Sequence, residues 1–396
     1  MTSVVDRWHI HPEHRWLRGE RADAAIEFDE SQNLWNVYGY AECREMLNDY
    51  RTFSSGTARL LPVSVDASLM EGDLSQMDPP DHRKYRKLLT PAFAPARIAA
   101  MRPRIAALTD ELLDAVTGKP DIELVADLAY PLPVIVVAEL LGVPASDRDQ
   151  FKVWADNVIE SFSGFTSLDT EEGPEAIREG TERLQPLLAY LAGHIAERRR
   201  RPREDLMSLL ATAEIDGERL TDNEAINIAN IMLITGHITT SMVLGNTMLC
   251  LDANPEYGAR VRAERSMIPG AIEEALRLLP PATVLTRATE TDVEVGGQRI
   301  PKDQLMFLWL GAGNRDPLQF ADPGRFDPTR DPNPHFGFGG GIHFCIGAGL
   351  ARLEGRIALN ALLDRFPALR TDPDNPPSFF DTPDMIGVNK LPLHTT

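Results

Sequence analysis

The sequence predicts a mainly α-helical protein with a small β-rich lobe. Apolar residues recur at helical spacing from about residue 81 to residue 265. Strand-like runs are short and confined to the flanks, at 35–37, 293–300 and 305–309. Between them, 225–251 contains no Asp, Glu, Lys or Arg, so one long helix is expected to run buried through the middle of the protein.

The first 18 residues carry His9, His11, His14, Arg7 and Arg15 among few apolar side chains, a mixture that suits neither a secretory signal nor a membrane anchor. A short strand at 35–37 passes into a helix over 40–47, and 52–74 reads as a loop of functional length. The helical region is broken at Gly118-Lys119-Pro120, Gly142-Val143-Pro144, 161–173 and Arg201-Pro202, where glycine and proline interrupt the pattern. The long helix opens on Thr221-x-x-Glu224, a capping box, and closes at Asn254-Pro255. That is roughly 30 residues, or about 45 Å at 1.5 Å per residue. It could span a bilayer by length, but Asn227, Asn230, Asn246 and several Thr and Ser residues are scattered through it. No Lys/Arg cluster flanks it closely enough to set an orientation, so it is expected inside a soluble protein. Glu197 to Arg201 is the one strong charge run and reads as a solvated helix end. Prolines thicken between Pro317 and Pro334, which predicts an irregular meander rather than a linker.

A chain of 396 residues, 43% of them hydrophobic, can bury a large core, and no composition break separates two domains. Its 59 acidic and 40 basic residues leave a formal charge of −19, which argues against broad nucleic-acid binding and against an anionic membrane surface. Cys43, Cys250 and Cys345 form no C-x-x-C pair. Neither a disulfide framework nor a zinc site is expected, and a reducing cytoplasm is the expected location.

The most informative run is Phe338-Gly339-Gly340-Gly341-Ile342-His343-Phe344-Cys345-Ile346-Gly347. Its glycines can take backbone angles closed to other residues, so the chain can pass close to a flat cofactor and curl around the sulfur. Freed N–H groups can then tune the electron density of a metal-bound thiolate. Cys43 and Cys250, which lack this setting, read as small buried hydrophobes. Upstream, Glu274-Ala275-Leu276-Arg277 places a carboxylate and a guanidinium on one helix face. That spacing also occurs at Glu175–Arg178 and Glu197–Arg200; the company of Arg287, Asn314-Arg315-Asp316-Pro317 and Phe320-x-x-Pro323-x-Arg325-Phe326-Asp327 distinguishes this copy.

Counting Asp78-Pro79-Pro80-x-His82-x-x-x-Arg86 at the front, there are five such motifs in order, ending at Cys345. The chain resembles the cytochrome P450 family of haem-thiolate monooxygenases in its soluble bacterial form, from Trp35 to Leu391-Pro392-Leu393. The resemblance implies a single cytochrome P450 domain over residues 1–396, with the long central helix over haem b. It also implies that Cys345 is the axial ligand of the haem iron, its thiolate pushing electron density toward O–O cleavage. His82, Arg86, Arg287 and His343, joined by His335, would bind the haem propionates through charge-assisted hydrogen bonds. Glu274, Arg277 and Arg325 would form a buried structural network. Gly236, His237, Thr239 and Thr240 are the candidate catalytic residues of the central helix.

There the chain departs from the family pattern of small residue, Gly, any residue, acid, Thr-Thr, for it reads Thr235-Gly236-His237-Ile238-Thr239-Thr240. Gly236 would let the helix approach the haem, and Thr239 would offer dioxygen a hydroxyl. Ile238 replaces the acid, and an isoleucine relays no protons, although O–O cleavage needs two. His237, ordered water or a substrate hydroxyl would have to substitute, or peroxide would bypass the step; alternatively, the acid tunes the rate without being essential. His237 also has a simpler reading as a satisfied polar residue within a helix.

By the same resemblance the substrate pocket draws on Leu60, Leu61 and Val63 of the long loop and on Ile231, Ile234 and Thr235 of the central helix. Ala282, Val284 and Leu285 after Arg277, with Met385 and Ile386 of the last hairpin, complete it. An apolar, medium-sized substrate such as a terpenoid, steroid, fatty acid or polyketide-like molecule fits that lining. No flavin or nicotinamide fingerprint is visible, so electrons are expected from a ferredoxin or flavodoxin with an NAD(P)H-dependent reductase. That partner would dock on a local basic patch of Arg83, Lys84, Lys87 and Arg352 beside a monomeric enzyme. The competing readings are a peroxygenase, isomerase or dehydratase needing no electron partner, and a haem protein that only binds a ligand.

Overall fold

The computed structural model describes residues 8, 10–60, 67–147, 150–151, 153–154 and 173–395. Its longer helices are α1 (Tyr40–Asn48), α2 (Asp81–Leu89), α3 (Pro95–Asp114), α4 (Pro131–Leu141), α5 (Gly173–Arg200), α6 (Leu206–Thr212), α7 (Asp222–Ala253), α8 (Pro255–Ala263), α9 (Ile268–Leu278) and α10 (Ala348–Arg365). The chain divides into two compact units, one of Met1–Phe53, Pro95–Leu132 and Thr239–Thr396, the other of Ser54–Ala94 and Pro133–Ile238.

The first unit holds the β-rich lobe. Strands β1 (Ile26–Asp29), β2 (Leu34–Val37), β3 (Phe53–Ser54), β4 (Val284–Thr289) and β5 (Leu305–Trp309) form one sheet in the order β1-β2-β5-β4-β3. The pairings are antiparallel for β1 with β2 and β5 with β4, and parallel for β5 with β2. The strand run expected over 293–300 is a tight hairpin, Val293–Val295 with Gln298–Ile300, turning at Gly296-Gly297. One face of the sheet meets α1 through Val37, Tyr40, Met46, Leu47, Met306 and Leu308, the arrangement by which a sheet and a helix bury their apolar sides together.

In the same unit, α3 packs along α10, and α10 packs on α9. Glu354 of α10 is buried, and its Oε2 has no hydrogen-bond partner. Burial pushes its carboxyl up from 4.5 to about 8. The folded protein thus keeps a proton that the unfolded chain releases, so the contribution of Glu354 to stability is full below about pH 4.5 and is lost as pH rises toward 8. The isosteric, neutral Glu354→Gln is expected to melt like the parent near pH 5 and several degrees above it near pH 8.5. Thermal unfolding at the two pH values checks this.

The second unit contains α2, α5, α6, most of α4 and the first half of α7. Its helices end where the sequence predicts, α4 at Gly142 with φ +90° and α5 at Arg201-Pro202. The break expected over 161–173 falls largely outside the described residues. The charge run at the end of α5 is a correction. Arg198 is fully buried, donating to Asp205 at 2.8 Å, to Glu197 at 2.8 Å and to the Gly142 carbonyl at 2.9 Å. Arg199 reaches Asp222 at 2.9 Å and the Leu220 carbonyl at 2.7 Å. The run anchors a helix end through paired, hydrogen-bonded charge instead of lying solvated.

Helix α7 is 32 residues long. Its capping box is formed in both directions: the Glu224 N–H donates to Thr221 Oγ1 at 3.1 Å, and the Thr221 N–H to Glu224 Oε2 at 2.7 Å. It is long and apolar enough to cross a membrane, yet 72% of its most apolar window is buried within the protein, as a core helix would be.

Candidate active site

In the first unit the cysteine run folds as a tight turn. Cys345 N–H donates to the Phe338 carbonyl at 3.0 Å and Gly339 N–H to that of Phe336 at 2.7 Å. Gly339 and Gly341 sit at φ +68° and +60°. A Cβ on Gly341 would collide with the Leu47 carbonyl oxygen, so only glycine lets the turn lie against α1. Cys345 is exposed, whereas Cys43 and Cys250 are buried. Burial drives the Cys43 thiol far above its usual range and pushes Cys250 up to about 12, so neither is a thiolate donor. Cys345 also sits just ahead of α10, whose N-terminal dipole favours negative charge.

In the same unit Arg287 lies on β4 with 5% exposure, its Nη1 donating to the Thr286 carbonyl at 2.7 Å. His343, half-buried, lies in the single helical turn Gly341–His343. His335 does not join them as a propionate ligand. Its Nδ1 accepts the Gly337 N–H at 3.0 Å, so Nε2 carries the proton and donates to Glu273 at 3.1 Å. Both ring nitrogens serve the protein.

The structural network is also corrected. Glu274 and Arg277 are fully buried and pair through Nε–Oε2 at 2.9 Å and Nη2–Oε1 at 2.7 Å. Arg325, however, is exposed and turns its Nη2 to the Tyr257 hydroxyl at 3.0 Å, lending the network only its carbonyl. Arg330 takes the expected place, 3.2 Å from Glu274, with Asn333 at 3.0 Å. Neither residue stood out in the sequence, whereas Asn314 did, within the Asn314-Arg315-Asp316-Pro317 motif, and its Oδ1 accepts the Phe336 N–H at 2.7 Å and so ties the meander to the cysteine turn.

The pocket segments of this unit come together. Ala282 bridges Met385, and Ile386 N–H donates to the Pro281 carbonyl at 3.0 Å. Val284 and Leu285 open β4 beside them. Asn246 of α7, also missed, clamps both segments by donating to the Leu279 and Ile386 carbonyls at 3.0 Å each. An Asn inside an otherwise apolar helix was the available signal. Buried His14 adds a strap, its Nε2 3.1 Å from the Thr382 and Met385 carbonyls. Burial lowers its pKa to about 4, so it stays neutral. Thr239 is half-buried and Thr240 buried.

In the second unit, His82 is buried at the start of α2 with Arg86 one turn on. Burial, then the Arg86 charge, lowers the His82 pKa against the pull of Asp78. Tyr85 ties α2 to α7 through a short hydrogen bond to Glu224. Lys84 is held by Asp81 at 3.1 Å and Asp216 at 2.8 Å, and in the first unit Arg352 is held by Glu273. The predicted basic patch therefore keeps only Arg83 and Lys87 as exposed cations. Gly236 packs on α4: an added Cβ would come within 2.9 Å of Val137, so its lack of a side chain serves helix packing. Buried His237 donates Nδ1–H to the Leu233 carbonyl at 3.0 Å, in keeping with its simpler reading. Ile238 is 4% exposed. Ile231 is half-buried and Ile234 buried, while Thr235 is exposed with its hydroxyl on the Ile231 carbonyl at 2.7 Å. Leu60 is half-buried; Leu61 and Val63 lie outside the described residues.

The sequence model of the cytochrome P450 family matches residues 4–396. The chain belongs to the cytochrome P450 family. It is 42% identical to cyclomarin C epoxidase CymV of Salinispora arenicola, over 96% of this chain and 94% of that protein. Among solved structures it is similar to HmtT, involved in himastatin biosynthesis, with 68% identity, a TM-score of 0.91 and complete coverage of both chains. The post-tailoring hydroxylase HmtN of himastatin biosynthesis matches at 53% identity and a TM-score of 0.90, again over the whole of both chains.

This P450 is a monooxygenase, and its cofactor is haem b. The residues present fit that group: one exposed cysteine on a turn pressed tight by glycine, with the buried guanidinium of Arg287 and the half-buried imidazole of His343 in the same unit. When bound, haem supplies the iron centre at which one oxygen atom is transferred to substrate.

Proposed function

We propose that this P450 hydroxylates or epoxidises a medium-sized, largely apolar secondary metabolite, using dioxygen. The observation that carries it is the exposed Cys345 on its glycine turn. In this reading Cys345 ligates the iron, and Arg287, His343, His82 and Arg86 hold the propionates. Thr239 donates a hydrogen bond to dioxygen, with Thr240 beside it. The two compact units work as one P450 domain, which is monomeric and cytoplasmic. Electrons come from a ferredoxin or flavodoxin with an NAD(P)H-dependent reductase. Names of relatives such as cyclomarin C epoxidase and the himastatin post-tailoring hydroxylase support the substrate class. Titrating the ferric protein with himastatin precursors tests it: a substrate that displaces water from the iron shifts the Soret band to shorter wavelength. No shift with any such precursor would remove the substrate assignment.

Buried Ile238 favours a second route, in which peroxide replaces dioxygen and reductant. If the missing acid limits proton delivery, Ile238→Glu is expected to raise product formed per NAD(P)H consumed while leaving peroxide-driven turnover unimproved. Unchanged coupling would mean that water or substrate already delivers the protons.

A further inference from the structure

Glu273, Arg352 and His335 form a cluster behind the cysteine turn that the site described above does not use. Arg352 Nε and Nη2 grip the two Glu273 oxygens at 2.7 Å each, a bidentate fork, and His335 adds its Nε2 at 3.1 Å. The guanidinium also lies 4.4 Å from the centre of the Phe338 ring. The Phe338 carbonyl accepts the Cys345 N–H, and His335, just upstream on the same segment, accepts the Gly337 N–H. The cluster therefore joins α9, the start of the cysteine turn and α10. Burial alone would raise the Glu273 carboxyl, but the hydrogen bonds and charges of Arg352 and His335 hold it at about 2. It is an anion at any working pH. The Arg352 pKa is raised, first by its hydrogen bond to Glu273, then, against burial, by the charges of Glu273 and Cys345, so Arg352 and the sulfur feel each other.

We infer that Glu273 and Arg352 are positioning residues for Cys345: their matched charges set the reduction equilibrium of the haem-thiolate centre, and their fork holds the turn. The inference rests on Cys345 being the iron ligand. His335 commits both ring nitrogens, one to the Gly337 N–H and one to Glu273. Reduction adds negative charge at the centre, so an unbalanced cation beside the thiolate favours it and an unbalanced anion opposes it.

The test is spectroelectrochemistry on the full-length haem-loaded protein, with the ferrous CO spectrum recorded for each variant. Glu273→Gln leaves Arg352 unbalanced and is expected to shift the ferric–ferrous equilibrium toward the ferrous form about tenfold, or ~59 mV for one electron. Arg352→Leu leaves Glu273 unbalanced and is expected to shift it oppositely. Arg352→Lys keeps the charge but loses the fork, so the equilibrium stays near that of the parent while the thiolate form of the CO complex decays several-fold faster. A purely structural role would move Glu273→Gln and Arg352→Leu in the same direction or not at all, and either result overturns the inference. Should Arg352→Leu not fold, Glu273→Gln decides alone by the sign of its shift. A parent protein without a thiolate signature would instead sink the assignment of Cys345.

Discussion

Cys345→Ser is expected to abolish the thiolate signature of the ferrous CO complex and to lower monooxygenation by at least about a thousandfold, close to 4 kcal/mol of barrier. The reason is electronic. A serine hydroxyl stays protonated where a cysteine at the head of a helix can ionise, so it cannot push charge onto iron as a thiolate does. The fold should scarcely notice, because Cys345 is exposed and its bond to the Phe338 carbonyl runs through the backbone N–H, which serine keeps. Apoprotein stability is therefore expected within about 0.5 kcal/mol of the parent. Cys43→Ser and Cys250→Ser should do the reverse. Each places a hydroxyl in a buried site at a cost of about 1–3 kcal/mol, with the spectrum intact. Visible spectra, turnover and thermal unfolding of the three variants separate ligation from folding. A retained thiolate signature in Cys345→Ser would refute the ligand assignment.

That separation follows a division already present in the sequence. The cysteine turn was legible because glycine is the one residue that meets its geometric demand, as the Leu47 carbonyl at Gly341 makes plain. The central helix was legible because its capping box and closing Asn-Pro are local signals, and the reciprocal hydrogen bonds of Thr221 and Glu224 bear out the first of them. Side-chain partners chosen across the fold were less legible. Nothing local says that Arg198 is buried while its neighbours in the charge run are not, or that Arg352 faces Glu273 rather than solvent. His335 looked like its neighbour His343 in sequence, yet the backbone at Gly337 decided its tautomer and thereby its role. Short strands such as β1 were missed because four residues carry too little alternation to stand out.

The exchange of Arg325 for Arg330 in the buried network makes a sharp prediction about stability. Arg277 uses all five of its N–H donors: two on Glu274 and one each on the carbonyls of Asn314, Pro323 and Arg325. Removing it leaves the Glu274 charge buried with Arg330 as its remaining cation and strands three carbonyls of the meander. Loss of one member of such a pair costs about 3–5 kcal/mol, a large share of the roughly 5–15 kcal/mol that holds a protein folded. Arg277→Leu is thus expected to lower the melting temperature by ten degrees or so, at about 2–4 °C per kcal/mol, or to prevent soluble expression. Arg277→Lys should rescue little, since an ammonium offers three donors from one point and cannot reproduce the fork. Arg330→Ala should fall between, because a second cation remains on Glu274. Arg325→Ala should cost no more than about 0.5 kcal/mol, for its side chain is exposed and its carbonyl survives the substitution. Thermal unfolding of the four variants checks the order. If Arg325→Ala proves as damaging as Arg277→Leu, the network is built as the motif implies and not as the hydrogen bonds describe.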